Sequence, residues 1–240
     1  RRFISIVAFV LAASVLLYLP YYVSSRGLFA QGILPVVEQR SRPFQLFVIW
    51  GLFLFLVLSF LGIEAAALRK LGAIRWRQLL SSSIPLAALL ALWLAAAAIY
   101  VLVTDKGGAG DIVTKLGLVL PWLALLTFVL LLLRGNLGLV RQAGETDATA
   151  PALAFAFLGL LLVVGAELFF VLEIFGNRMN TVFKLYYQAW TLLALASAFG
   201  LYYVGRDWHG LSKAIGRGLW WAVLGLLLAA LGAQLFRGMK

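Results

Sequence analysis

Residues 44–68 read FQLFVIWGLFLFLVLSFLGIEAAAL. The only ionisable side chain in that run is Glu64. A helix needs about 20 mostly apolar residues to cross a bilayer, and this run supplies them. A strand of a membrane barrel would alternate apolar and polar residues over about ten positions, whereas here the apolar residues follow one another without a break. The stretch therefore reads as a transmembrane helix. Moving outward, six more runs of the same kind fall at residues 3–22, 84–103, 116–133, 151–172, 181–204 and 218–236. The fourth in chain order, 116–133, is the shortest. Pro85, Pro121 and Pro151 stand near the starts of apolar runs, which places them in first helical turns, where a missing N–H does no harm.

Composition agrees with this. Of the 240 residues, 64% are hydrophobic and 12% charged, against about 25% charged in a soluble domain. Such a chain has too little polar side chain to cover a water-facing surface. The expected fold is all-α, a polytopic helical membrane protein with about seven spans, residues 1–240 forming one transmembrane bundle. The chain begins at Arg1 without Met and ends directly after an apolar run, so we expect a fragment or later half of a longer membrane protein. A net charge of +11 in such a protein points to topology and anionic lipid, not to nucleic acid. With no Cys and a single His, His209, thiol chemistry and Ser-His-Asp catalysis are poorly provided for.

Basic residues in the connections set the orientation. The cluster Arg69, Lys70, Arg75, Arg77 is the best marker and is placed in the cytoplasm, leaving the N-terminus cytoplasmic and the C-terminus extracytoplasmic. Three connections then face outward: residues 23–43, the glycine-rich turn TDKGGAGD at 104–111, and the short link at 173–180. Lys115 is counted with the basic residues of that outer side. The turn at 104–111 reads as solvated, and Glu64 as a carboxylate snorkelling toward the cytoplasmic surface. Glu38, Arg40 and Arg42 are candidates to line an outer cavity.

One stretch is not ordinary lipid-facing helix. Residues 167–190 read ELFFVLEIFGNRMNTVFKLYYQAW. They carry Glu167, Glu173, Asn177, Arg178, Asn180, Thr181, Lys184 and Gln188 among apolar neighbours. Charge at bilayer depth costs a few kcal/mol per group, so such residues are usually paired or functional. At about 100° per residue, Asn177, Asn180, Thr181, Lys184, Gln188 and Thr191 fall within an arc of about 100°. The helix thus carries a polar stripe, which lipid cannot satisfy. Arg178 could grip a phosphate through paired N–H donors, Lys184 adds a point charge, and Asn180 and Thr181 lie at a helix N-terminus that favours anions. Glu167 and Glu173 are counter-charges or acid/base groups. The plainer alternative is that Glu167 or Glu173 pairs with Lys184 or Arg178 and locks the fifth span to the sixth.

The motif Arg178-Met179-Asn180-Thr181-x-Phe183-Lys184-x-Tyr186-x-Gln188-x-Trp190 resembles the signature of the YYY family of polytopic membrane proteins, known in archaea and green non-sulfur bacteria. The resemblance is carried by the later part of the chain, with some likeness also in the approach to residues 44–56. Where members often carry Asp, this chain has Glu173. The resemblance implies an integral protein of a prokaryotic plasma membrane. In architecture the family is similar to membrane glycosyltransferases that use polyprenyl-phosphate sugars. By that analogy Glu167 and Glu173 are catalytic, while Asn177, Arg178, Asn180, Thr181, Lys184 and Gln188 bind the lipid-phosphate sugar donor. The acidic loop those enzymes carry after their first span is not in this sequence. No residues are assigned to a metal and no cofactor is identified. Two further readings stay open: a non-catalytic subunit bound to other subunits of a membrane complex, and a transporter with a midplane relay of Glu167, Lys184 and Gln188.

Overall fold

The computed structural model describes residues 12–20, 32–39, 41–74, 76–143, 148–172, 176–206 and 211–238. Glu173, Arg40, Asp207 and His209 lie outside the described residues. Among the described residues seven helices follow one another: α1, described over residues 12–20, α2 (Pro43–Lys70), α3 (Trp76–Thr104), α4 (Ala109–Ala143), α5 (Thr149–Leu168), α6 (Met179–Arg206) and α7 (Leu211–Gly238). Two short strands interrupt the series, β1 (Ile33–Pro35) before α2 and β2 (Phe169–Val171) directly after α5. Among the described residues, α2, α3, α4, α5 and α7 contain segments long and apolar enough to cross a membrane. At 28 residues α6 is long enough too, but its polar stripe makes it less apolar.

Most of the helices run further than the apolar stretches; α5 instead stops at Leu168, short of the end of the 151–172 run, whose residues 169–171 form β2. The fourth predicted span, the shortest on paper, is part of the longest helix, with 35 residues. Pro85 and Pro121 are therefore not in first turns; both lie inside their helices, α3 and α4. Apolar composition marks where hydrocarbon can begin, and a helix continues past that point wherever its backbone bonds still close. Lys115, expected in a connection, belongs to α4, as does Arg134. Arg134 Nη1 donates to Ser81 Oγ at 3.0 Å and Ser82 Oγ at 3.3 Å, tying α4 to α3.

The core lies along α5, which packs between α4 and α6, while α2 closes the other side of α6. In lipid there is little hydrophobic drive between helices, so close van der Waals contact through small residues matters more. Gly159 on α5 meets Ala189 and Leu193 on α6, and Ala152 and Ala156 on α5 are buried as well. A Cβ on Gly159 would stand 2.7 Å from Leu193 Cγ, and one on Gly200 would stand 3.1 Å from the Leu56 carbonyl oxygen. These two glycines set how near α6 comes to α5 and α2. At the end of α2, Gly72 adopts φ +64°. Its N–H reaches the Arg69 carbonyl and the Ala73 N–H reaches Leu68, a Schellman stop that needs a left-handed residue.

The described parts of the three connections assigned to one side meet at one end of the bundle. β1 pairs antiparallel with β2, Ile33 opposite Val171 and Pro35 opposite Phe169. Val36 N–H extends the pairing to the Leu168 carbonyl at 2.8 Å. The 104–111 turn is not simply solvated: Gly107, at φ +75°, sits so close to Val37 that a Cβ would approach Val37 Cγ1 to 2.9 Å. Its neighbour Gly108 donates its N–H to Asp111 Oδ2 at 3.1 Å. We refer to this as the loop end.

Candidate functional site

Glu167 is the penultimate residue of α5, and the chain turns extended immediately after it. That junction fixes the carboxylate at the loop end with only 3% of the residue exposed. Four side chains converge on it. Lys115 Nζ stands 2.7 Å from Oε2, and Arg178 Nη1 stands 2.9 Å from Oε1. Ser41 Oγ donates to Oε1 at 2.6 Å, and Tyr186 Oη donates to the same oxygen at 3.2 Å. Arg178 is anchored further: Nη1 donates to the Ala166 carbonyl, Nη2 to Ser41 Oγ at 2.8 Å, and its backbone N–H to Gln39 Oε1. A buried charge is tolerated only when paired and hydrogen-bonded, and this one is both. Glu167, Lys115 and Arg178 together sum to +1.

The sequence-predicted residues divide. Glu167 and Arg178 come together, and the partner of Glu167 in the plain alternative is Arg178, with Lys115 added, not Lys184. Thr181 is buried; its Oγ1 accepts the Val171 N–H at 3.0 Å and pins β2 to α6. Asn177 Oδ1 accepts the Met179 N–H at 3.0 Å at the start of α6. Asn180 is half-buried, whereas Lys184 and Gln188 are exposed on the flank of α6. The polar stripe thus enters the protein at its loop-end turn and leaves it along the helix.

Sequence reasoning missed Lys115, Ser41, Gln39 and Tyr186. Lys115 had a signal: a lone cation one turn inside an apolar helix start, with 0% of its side chain exposed in the fold, asks for a carboxylate. Ser41 and Gln39 had none, because their role depends on the 30s loop folding back beneath α5. Tyr186 was placed off the stripe, yet its long side chain reaches Glu167.

Two cavities flank this cluster. An apolar cleft of about 530 Å³ runs between α2 and α4, lined by Pro43, Leu46, Phe47 and Leu54 on one side and Gly117, Leu118, Pro121 and Trp122 on the other. Its polar end carries Ser41 and Arg42, with Thr114 nearby. Pro121 lacks the N–H that would bond the Gly117 carbonyl four residues back, so this wall also presents a backbone acceptor without its helical donor. The other cavity, about 330 Å³, lies under the 34–39 segment. Of the three candidates for one outer cavity, Glu38 lines that pocket and Arg42 lines the cleft, while Arg40 lies outside the described residues.

A second glutamate is buried far from the loop end. Glu64 does not snorkel; it is 3% exposed and accepts from Tyr203 Oη at 3.0 Å and Asn136 Nδ2 at 3.3 Å. It joins α2, α6 and α4 through neutral donors. The Tyr203 ring in turn lies under the Arg206 guanidinium, 5.3 Å from its centroid.

A family model described as Uncharacterized membrane protein (DUF2298) matches residues 1–193. That match takes in the helices before the 167–190 stretch as well as the stretch itself. No curated protein and no solved structure matches the chain.

Proposed function

We propose, for a chain that belongs to the Uncharacterized membrane protein (DUF2298) family, that it binds a polyprenyl-phosphate-linked sugar as a glycosyltransferase-like protein of a prokaryotic plasma membrane. The loop end is placed on the extracytoplasmic side. One observation carries this reading: an apolar cleft open along the bundle ends at Ser41 and Arg42, beside a buried cluster whose three charges sum to +1. An isoprenoid tail is apolar and long, and a phosphate is anionic, so the two halves of the cleft match the two halves of such a lipid.

The residues divide the work. Arg42 is exposed at the polar end and meets the phosphate; its guanidinium can offer two parallel N–H donors. Ser41 links Arg42's neighbourhood to the cluster. Glu167 serves as the counter-charge that holds Arg178 and Lys115 in place, which keeps their field at the head of the cleft. Thr181 sets the start of α6 against β2, Asn177 caps that helix start, and Asn180, Lys184 and Gln188 flank the approach along α6. Glu173 is retained, from its place in the sequence, as the carboxylate for acceptor deprotonation, because inverting transfer to a hydroxyl needs a base.

The cleft can be tested without disturbing the core. A Cβ on Gly117 would meet nothing within 4 Å, so Gly117→Leu fills the cleft while leaving α4 intact. In detergent or nanodiscs, binding of a polyprenyl phosphate should fall at least tenfold in Gly117→Leu and in Arg42→Ala. Unchanged binding in both variants removes the proposal.

A further inference from the structure

The smaller cavity has a different chemistry from the cleft. Its lining includes Glu38, Gln39, Tyr100, Thr104 and Lys106, with apolar walls from Leu34, Phe170 and Leu172. At about 330 Å³ it falls at the small end of the ~300–1,000 Å³ range of ligand sites. Glu38 and Lys106 bring one full charge of each sign to it, and the two do not pair with each other. Among the described residues neither forms an ion pair at all.

Local structure holds the two charges apart. Lys106 follows Asp105, whose φ of +52° is rare for a residue other than glycine. Its backbone N–H donates to Thr104 Oγ1 at 3.3 Å, so the lysine leaves α3 in a fixed direction. Glu38 lies on the strand-side loop, its stem packed where a Cβ on Gly107 would come within 3.3 Å of Glu38 Cγ. Gln39 gives its Oε1 to the Arg178 N–H, which turns its amide nitrogen, a donor, away from that contact. Tyr100 adds a ring face that attracts a cation.

We infer that this pocket is a binding site for a small zwitterion, its ammonium at Glu38 and Tyr100, its anionic group at Lys106 and the Gln39 amide, and its apolar portion against Leu34 and Phe170. The pairing of opposite charges across one small cavity selects a molecule carrying both signs over one carrying either. A free amino acid and the ethanolamine-phosphate head of a lipid share that chemistry. The inference does not rest on the lipid-phosphate reading, since the pocket and the cleft draw on different residues.

The test uses the full chain purified in detergent and, separately, in nanodiscs. Titration with leucine and with phosphoethanolamine is followed by ligand-observed nuclear magnetic resonance, with ethanolamine and inorganic phosphate as single-charge controls. Nanodiscs containing phosphatidylethanolamine or phosphatidylglycerol separate the lipid source from the free one by native mass spectrometry. Saturable binding of a zwitterion at least tenfold tighter than either single-charge control supports the site. Glu38→Gln and Lys106→Gln should each weaken it at least tenfold, and the exchange Glu38→Lys with Lys106→Glu should recover part of that loss. Gly117→Leu, which fills the cleft, should leave it unchanged. Absence of zwitterion binding, equal binding of ethanolamine or phosphate, or indifference to both single variants overturns the inference. Both side chains are exposed, and unaltered helicity and elution volume in the variants show that lost binding is not lost folding.

Discussion

Two glutamates are buried in this bundle to the same extent, and they are kept there by different means. Glu167 at the loop end is met by two cations and two hydroxyls. Glu64 is met by a phenol and an amide. The first arrangement joins charges from α4 and from the start of α6, and it draws in the 39–41 segment through Ser41 and Gln39. The second joins three helices and no loop. The difference teaches which end draws its loops together. A neutral-donor lock is enough to hold helices together, whereas a multiply paired carboxylate that also gathers loop residues beside two cavities organises a surface.

The sharpest way to break the comparison is to remove Glu167. Glu167→Ala strands Lys115 and Arg178 in a buried setting, and losing one partner of such a pair costs about 3–5 kcal/mol. Denaturant unfolding in detergent should show that loss, most of it as failure to recover folded protein. Glu64→Ala should cost less, about 1–3 kcal/mol, because it leaves only neutral donors unsatisfied. If the order of these two is reversed, the distinction between the two ends collapses. Tyr203→Phe sharpens it at the quiet end: one hydrogen bond to Glu64 is lost, about 1 kcal/mol or somewhat more, with lipid-phosphate binding unaltered. The smallest expected effect is that of Lys184→Ala on stability. Its side chain is exposed, and unfolding should move by no more than about 0.5 kcal/mol.

The membrane bundle was plain in the sequence because a run as long and as apolar as 44–68 fits a spanning helix and lacks the alternation of a barrel strand. The bond between Glu167 and Arg178 was half legible: both stand in one 24-residue stretch, and charges so placed must find partners. Lys115 was assigned to a connection because it precedes the apolar run that starts at Leu116. The helix starts at Ala109, and that difference of about two turns hides the lysine inside the protein. Pro85 and Pro121 show the same thing: the edge of the apolar run near each is not the start of its helix, which lies further back, at Trp76 and at Ala109. Glu64 near Arg69 looks like an interfacial residue on one helix. Only the approach of α6, which Gly200 permits, brings Tyr203 over it. Strands of three residues, such as β1 and β2, carry no period to detect; they exist because each finds the other.

That pairing has a consequence for how the chain is made. Ile33 and its partner Val171 leave the ribosome far apart in time, roughly 7–30 s at about 5–20 residues per second. Until the later strand emerges, Ser41 and Lys115 have been synthesised without the carboxylate that will join them, and Glu167 then waits only eleven more residues for Arg178. The end of the molecule that carries both cavities is therefore closed by its last-made pieces, and a ribosome stalled before residue 178 would present a bundle with its lid undone.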